Sequence, residues 1–283
     1  MAEKIKPDFN VADKTTIVDQ QPVKDSFIDT LIRMHKLSPE DAEATYEREA
    51  RYFKRLVSDS SWLKESTGIS LCSAFFEVAI TGLSLQTGSK ADAFLEARNA
   101  NQPINGQDHW VKVARLVVTA YGELNLRIKA GQIVRINNPI VIYEGDYFQP
   151  CTNERGELRV DYRPSIPRKS QVIIGVYCSI VLPHNGLDFK WLLDDDIARL
   201  HNYSKTKSQK DGNSLYFSND GQIDTGFLEA KCIKHAMRAY TKLKVSENIG
   251  FEDDQPNEEA PSFIKEEEKK TTTIINKEEE ETF

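Results

Sequence analysis

The spacing of apolar residues changes twice along this chain, and this change limits the fold more than any other feature of the sequence. From residue 38 to residue 81 apolar side chains recur every three to four positions, which is typical of amphipathic helices. Between residues 93 and 191 many segments alternate apolar and polar side chains, which is typical of half-buried strands. Helical spacing returns after residue 194. This order predicts an α+β fold, in which a small antiparallel sheet with hairpins packs against flanking helices.

Two helices are predicted before the first strand. Ser38 is a good N-cap, Pro39 fits the first helical position, and the two carboxylates that follow face the positive end of the helix dipole. This helix should run to about Val57. The apolar segment 69–81 predicts a second, largely buried helix, which Gly82 can end in the left-handed conformation.

The middle of the chain predicts strands and hairpins around one further helix. The turn sequences Asn-Glu-Arg-Gly at 153–156 and Pro-His-Asn-Gly at 183–186 are flanked by alternating apolar and polar residues, which predicts two β-hairpins. The extended segment 133–143 is interrupted by an Asn-Asn-Pro turn. The other predicted elements are strands at 93–98 and 111–118, a helix at 119–130, and hairpin strands at 158–162, 172–182 and 187–191.

The C-terminal third predicts two more helices and then a change of composition. Residues 194–202 and 224–244 have helical spacing, and the polar stretch 203–221 is predicted to be a mobile loop. Residues 247–283 contain 13 acidic and 4 basic side chains, so that of the net charge of −7 about +2 belongs to residues 1–246. We therefore predict a flexible N-terminal segment at 1–24, one domain at 25–246 and a disordered acidic tail at 247–283.

The composition indicates an intracellular protein. The four cysteines are widely spaced and form no CxxC pair, which predicts reduced, mostly buried thiols rather than disulfides or a zinc site. The first ten residues contain no apolar signal core, and the longest apolar run, 172–182, is too short to cross a bilayer. We expect a cytoplasmic protein with no membrane partner.

No catalytic chemistry emerges from the motifs. The sequence contains no G-x-x-x-x-G-K-[ST] phosphate cradle, so we expect neither ATP hydrolysis nor a cofactor. The acidic run Asp194–Asp196 would suit a metal-dependent nuclease, but three carboxylates that open a helix also neutralise its dipole, and we favour that interpretation. The five histidines lack metal-ligand spacing, and no serine or cysteine lies in a nucleophile motif.

A row of cations along the predicted last helix is the most informative functional signal. At about 100° per residue, Lys231, Lys234, Arg238 and Lys242 fall within one sector, opposite the apolar residues. Such a row can neutralise phosphates along a nucleic acid strand, or it can be an ordinary solvated helix face. Two further groups combine cations with an aromatic ring, on which an unpaired base could stack. They are Lys112, Arg115, Tyr121, Arg127 and Lys129 around the central helix, and Lys205, Lys207 and Lys210 beside Tyr203 in the predicted loop.

Several segments, in this order, resemble the RecT family of phage and prophage single-strand annealing proteins. SLCSAFFEVAITGLSLQTGSKADAFL resembles the family's helix and Gly-Leu turn before a strand, and VKVARLVVTAYGELNLRIKAGQI its strand and Tyr-x-Gly helix. PIVIYEGDYF is similar to its Glu-Gly-Asp-x-Phe segment, and EAKCIKHAMRAYTKL to its closing lysine-rich helix. The resemblance covers residues 30–245. By position, Lys234, Arg238 and Lys242 match basic positions of the family. Tyr121 and Gly122 match an aromatic-glycine pair, and Gly145 and Asp146 match a turn. Three parts of this sequence depart from the family pattern: Ile233, His235 and residues 124–129.

The resemblance implies an oligomeric ring or helical filament that holds single-stranded DNA until a complementary strand pairs with it, without ATP, in DNA recombination and repair. Its implied partners are single-stranded DNA, the annealed duplex, a phage exonuclease and a single-strand-binding protein of a bacterial host, with Mg²⁺ as a modulator at most. Two alternatives stay open: an oligomeric assembly protein with no DNA role, and the metal-dependent nuclease. For the acidic tail, we expect a solubilising role, competition with DNA for the basic groove, or docking on host partners.

Overall fold

The computed structural model of the chain describes residues 6–101, 108–154, 156–208, 213–241, 243 and 249–251. The predicted α+β fold is confirmed, since helices flank small, mainly antiparallel sheets. No helix within these ranges is both long enough and apolar enough to span a membrane. The helices are α1 (Gln21–His35), α2 (Pro39–Asp59), α3 (Ser61–Lys64), α4 (Gly68–Thr81), α5 (Ala120–Lys129), α6 (Asp194–Ser208) and α7 (Thr225–Met237). The strands are β1 (Ala93–Asn101), β2 (Trp110–Val118), β3 (Arg135–Ile136), β4 (Ile140–Tyr143), β5 (Tyr147–Thr152), β6 (Leu158–Arg163), β7 (Ile173–Val181), β8 (Leu187–Leu193) and β9 (Gly250–Phe251).

Helices α1, α2 and α4 enclose the first hydrophobic core. Helix α2 begins at its predicted cap, because Ser38 Oγ accepts the backbone N–H three residues on at 3.1 Å. Helix α4 ends where predicted, at Gly82 with φ of 63°. The ring of Phe75 lies at the centre of this core, with its centroid 4.4 Å from that of Phe27 and 5.1 Å from that of Phe53. These contacts fix the three helices against one another.

The expectation of a flexible segment through residue 24 is wrong from residue 14 onward. Lys14–Asp19 form a 3₁₀ helix, and α1 begins at Gln21. Ile17 and Val18 are completely buried in the first core, and the Tyr46 hydroxyl donates to the Val18 carbonyl at 2.5 Å. Because Ile17 and Val18 are only two adjacent apolar residues, they form no periodic pattern that would predict a helix, although both side chains pack in the core.

Strands β1 and β2 form an antiparallel ladder that ends with Asn101 opposite Trp110. Helix α4 packs on this ladder, and the Ala114 N–H of β2 donates to Ser70 Oγ of α4 at 2.9 Å. The short strand β9 pairs with β2 in parallel at Val117 and Val118. The edge of β2 is therefore occupied by α4 at one end and by β9 at the other.

Strand β7 lies in the middle of the second sheet and in the second core, where α7 covers it. It pairs antiparallel with β8 on one side and with β3 and β4 on the other, which confirms the predicted hairpin at 183–186. Strands β5 and β6 form a separate two-stranded sheet, the other predicted hairpin. Its Phe148 ring lies 5.4 Å from Tyr177 and 6.3 Å from Trp191, centroid to centroid, so its inner face packs on β7 and β8.

The C-terminal helices differ in length from the prediction. Helix α6 continues to Ser208, so residues 203–208, which the sequence predicted as loop, are helical. Helix α7 ends at Met237 rather than at Lys244, and the chain turns after it. Lys242 and Lys210 lie outside the described residues, as does the acidic tail apart from residues 249–251, so the expectations for them stay predictions. The expectation of disorder from residue 247 is wrong at 249–251, because Ile249 is buried in the first core and Gly250–Phe251 form β9.

Candidate nucleic-acid interface

The predicted basic row on α7 does not form one exposed face. Lys234 is only 6% exposed, and its Nζ lies 3.0 Å from Glu123 Oε2 of α5. Lys231 is half-buried, with its Nζ 5.0 Å from the centroid of the Phe227 ring. Arg238 is exposed at the end of the helix. The row is interrupted because α7 packs against α5, β7 and β8, so that the side bearing Lys234 faces inward.

Arg127 is also part of the interior rather than of a DNA-binding face. It is 5% exposed, and its Nη2 donates to Glu123 Oε1 at 2.5 Å. Its Nη1 donates to Gln132 Oε1 at 2.7 Å and to the Thr241 carbonyl at 3.0 Å. Glu123, Arg127 and Lys234, hereafter the buried charge cluster, therefore join α5 to α7. The prediction that Arg127 and Lys234 contact phosphates is corrected: both cations are turned toward one carboxylate.

Tyr121 and Lys129 of α5 also make internal contacts. The Tyr121 ring packs against the second core, and burial together with Glu229 raises the pKa of its hydroxyl. Lys129 Nζ donates to the Gly82 carbonyl at 2.7 Å, at the C-terminal end of α4, and desolvation lowers the pKa of its ammonium group. Both residues therefore help to hold α5 in place. Tyr121 is half-buried, whereas Lys129 is exposed, so the prediction that Lys129 contacts phosphate stays open.

The cations predicted in a loop lie on α6 instead. Lys205 is exposed on this helix, and Lys207 is in its last turn, where the side chain lies outside the described part of the structure. Asp194–Asp196 open the same helix, as the sequence predicted. Asp196 accepts the Leu193 N–H at 3.2 Å and pairs with Arg199 at 2.7 Å. Among the described residues no group of three or more His, Cys, Asp or Glu side chains is arranged to hold a metal ion.

The side chains of Lys112 and Arg115 of β2 are 22% and 27% exposed, and both are held by more exposed carboxylates. Lys112 pairs with Glu65, which is 60% exposed, and Arg115 Nη2 lies 2.7 Å from Glu96, which is 42% exposed. Surface ion pairs of this kind contribute only about 0–1 kcal/mol to stability. A phosphate could therefore replace either carboxylate at little cost, so these two predicted residues stay available for a polyanion.

Two exposed tryptophans lie beside Lys112. Its Nζ is 4.3 Å from the centroid of the Trp62 ring, which belongs to α3 and is 48% exposed. Trp110 precedes Lys112 by two residues, so both side chains point to the same face of β2, and Trp110 is 66% exposed. Exposure of this extent is unusual for tryptophan. We call Trp62, Lys112 and Trp110 the tryptophan strip, and its two rings are not among the residues that the sequence predicts as binding residues.

A cleft follows at the junction of α4 with β1 and β2. Its volume is about 450 Å³, and its lining includes Ser70, Asn101 and the two arginines Arg98 and Arg115. Arg98 is exposed and makes no ion pair with any described residue. Asn101 is the register partner of Trp110, so this arginine cleft reaches the end of the ladder that carries the tryptophan strip. Because side chains alternate along a strand, however, Arg98 and Arg115 point to the opposite face of the ladder from Trp110 and Lys112. Arg98 lies on a strand that the sequence predicts, but no sequence pattern marks it as a binding residue.

Two tyrosines at the turn between β4 and β5 each lie beneath an arginine. The guanidinium carbon of Arg168 lies 3.6 Å from the centroid of the Tyr143 ring, and that of Arg163 lies 5.4 Å from the centroid of Tyr147. Lys169 covers Gly145 of the turn, since a Cβ on this glycine would lie 3.5 Å from the lysine Cβ. We call Tyr143, Tyr147, Arg163, Arg168 and Lys169 the tyrosine turn.

The three cysteines Cys72, Cys178 and Cys232 are buried and Cys151 is exposed, and all four are free thiols, as the sequence predicts.

A comparison with models of known protein families gives no match to this chain, and a comparison with curated proteins gives none either. The resemblance to the RecT family therefore stays a prediction.

Proposed function

We propose that this chain binds single-stranded DNA and anneals complementary strands without ATP, as its resemblance to the RecT family implies. The observation that carries the proposal is the tryptophan strip: two exposed indole rings with a lysine beside them, at the end of a ladder whose opposite face carries the two arginines of the cleft. Rings interleaved with cations suit an unpaired strand, because bases stack on the rings while the cations neutralise phosphates. A duplex offers its bases only at the groove edges and would leave the rings without a partner.

The expected mechanism is non-covalent. Bases would stack on Trp62 and Trp110, and each such contact is worth about 1–3 kcal/mol of binding free energy. Lys112 would bind a phosphate on the face of the ladder that carries the tryptophan strip, and Arg98 and Arg115 would bind phosphates on its opposite face. DNA would displace Glu65 and Glu96 from their present ion pairs. Phosphate contacts fix the strand without selecting its sequence, so base pairing with the second strand supplies the specificity.

The test mixes the full chain with complementary oligonucleotides in the absence of ATP and divalent metal. We expect a shifted single-strand complex, faster pairing and no degradation, with affinity that falls as salt rises, by a log–log slope of about −0.7 for each phosphate neutralised. Replacing Trp110 by alanine should weaken single-strand binding about 5- to 150-fold, since that range corresponds to 1–3 kcal/mol. The matched control is Leu187→Ala, which removes another exposed apolar side chain, on β8.

One alternative draws on a specific feature of the same surface. Trp62, Ile69 and Trp110 are all exposed apolar side chains, and such side chains together can also mark a contact between subunits of an assembly protein. In that case the chain would bind no oligonucleotide, while Trp110→Ala would change its oligomeric state. Loss of DNA only in the presence of Mg²⁺ would instead support the nuclease alternative. Assembly into a ring or filament, and partners such as an exonuclease, belong to the main proposal.

A further inference from the structure

We infer that the tyrosine turn is a second site for single-stranded DNA, which holds the complementary strand while the tryptophan strip and arginine cleft hold the first. This inference rests on the proposed function. Annealing without ATP requires two polyanions to approach each other, so both backbones need cations at the same time. The tyrosine turn lies on β4–β6 and the segment that follows β6, whereas the strip and the cleft lie on α3, α4, β1 and β2.

The tyrosine turn has a fixed geometry. Asp146 holds it together, because its carboxylate accepts the Tyr143 N–H at 3.0 Å, the Tyr162 hydroxyl at 3.0 Å and the Ser165 N–H at 2.8 Å. These bonds join the turn between β4 and β5 to the segment after β6, which carries Arg168. Groups that are already in place lose less conformational entropy when a ligand binds.

Its charges are available to a ligand. Arg168 and Lys169 are exposed and form no ion pair with the part of the chain that the structure describes. Stacking on Tyr143 uses the face of the Arg168 guanidinium and leaves its N–H edge free to donate to a phosphate. Arg163 differs, because its Nη2 lies 2.8 Å from Asp161. The positive charge that a strand would meet therefore comes from Arg168 and Lys169, and the carboxylates of Glu144 and Asp146 in the same turn partly offset it.

Its aromatic surface is also exposed. Tyr147 is one of the exposed large apolar side chains, and Tyr143 is half-buried beneath its arginine. A base could stack on the exposed face of Tyr147 while its neighbouring phosphate contacts Lys169 across the turn. The proposed ligand is a single strand of any sequence, since no group here is placed to distinguish bases by a set of paired hydrogen bonds.

The experiment measures whether the protein, once it has bound one strand, captures a second strand added afterwards. An immobilised thymidine oligonucleotide is saturated with the full chain, and a second, labelled thymidine oligonucleotide then flows over it; these strands cannot pair with each other. The variant is Arg168→Gln/Lys169→Gln. The control, Arg135→Gln/Arg159→Gln, removes the same charge from two other exposed arginines. We expect the variant to bind the first strand within about twofold of wild type, and to capture the second strand and anneal complementary strands about tenfold less well.

The outcomes separate the two proposals. If the wild-type chain binds no immobilised strand, the proposed function fails and the second site fails with it. If the first strand binds and the variant captures the second as well as wild type does, only the second site is refuted. Equal loss of both strands in the variant would also refute it, because the tyrosine turn would then belong to the path of the first strand.

Discussion

Removing the carboxylate of the buried charge cluster should destabilise the fold strongly. In Glu123→Gln, the side chains of Arg127 and Lys234 would stay in the interior, facing a neutral amide instead of the one anion that both now contact. The substitution keeps the size of the side chain, so little packing changes. Its effect therefore reports the electrostatic role of the cluster.

The magnitude follows from the burial of all three side chains. Breaking a buried ion pair by removing one partner costs about 3–5 kcal/mol of unfolding free energy, because an uncompensated charge is left inside. For a domain of this size each kcal/mol lowers the melting temperature by roughly 2–4 °C, so we expect a decrease of about 6–20 °C. Glu65→Gln, which removes an exposed carboxylate from Lys112, should cost less than about 1 kcal/mol.

The assay is thermal and urea unfolding followed by circular dichroism, with Lys234→Met as a third variant. This change leaves the Glu123 carboxylate and the Arg127 guanidinium paired in the interior, so it should lower the unfolding free energy less than Glu123→Gln does. The folded Lys234→Met protein should also bind single-stranded DNA as wild type does, because Lys234 faces the interior. The reasoning is refuted if Glu123→Gln unfolds no more easily than Glu65→Gln, or if Lys234→Met folds normally and loses DNA affinity.

Three further predictions concern separate parts of the fold. Gly122→Ala should lower the unfolding free energy by roughly 3 kcal/mol, measured in urea, because the new Cβ would lie 2.0 Å from the Asp92 carbonyl oxygen. Burial, and to a smaller extent Lys205, lower the pKa of His201 below 6.5, so the wild-type protein should lose stability as the pH falls below about 6.5. His201→Gln should lose less stability over the same pH range, and an equal dependence of stability on pH in both proteins would contradict this. Arg98→Gln should reduce the salt dependence of single-strand binding by about 0.7 in log–log slope, and an unchanged slope would exclude a phosphate contact there.

The elements of the fold could be predicted because their signals are local. The cap at Ser38, the left-handed glycine at Gly82 and the hairpin turns at 153–156 and 183–186 act through neighbouring residues, and all four occur as expected. The 3₁₀ helix at residues 14–19 was missed, because its stability comes from contacts with distant helices. Local patterns do not record such contacts.

The candidate site was harder to predict, because exposure depends on tertiary packing. Lys234 lies on what the helical periodicity marks as a solvated face, but its partner Glu123 comes from a helix more than a hundred positions earlier in the chain. Tryptophan is usually a core residue, so nothing in the sequence indicates that Trp62 and Trp110 are exposed. The tyrosine turn needs the register of β5 with β6 to bring Arg163 opposite Tyr147.

Intrinsic tryptophan fluorescence reports whether a DNA strand stacks on the tryptophan strip, because Trp62 and Trp110 are exposed, whereas Trp191 is half-buried under Phe148. A thymidine oligonucleotide is titrated into wild type and into Trp191→Phe, while the anisotropy of a labelled oligonucleotide reports binding independently. We predict saturable quenching in both proteins, with the same midpoint as the anisotropy and a midpoint that rises with salt. Binding without quenching, or quenching that disappears in Trp191→Phe, would contradict a strand stacked on the tryptophan strip.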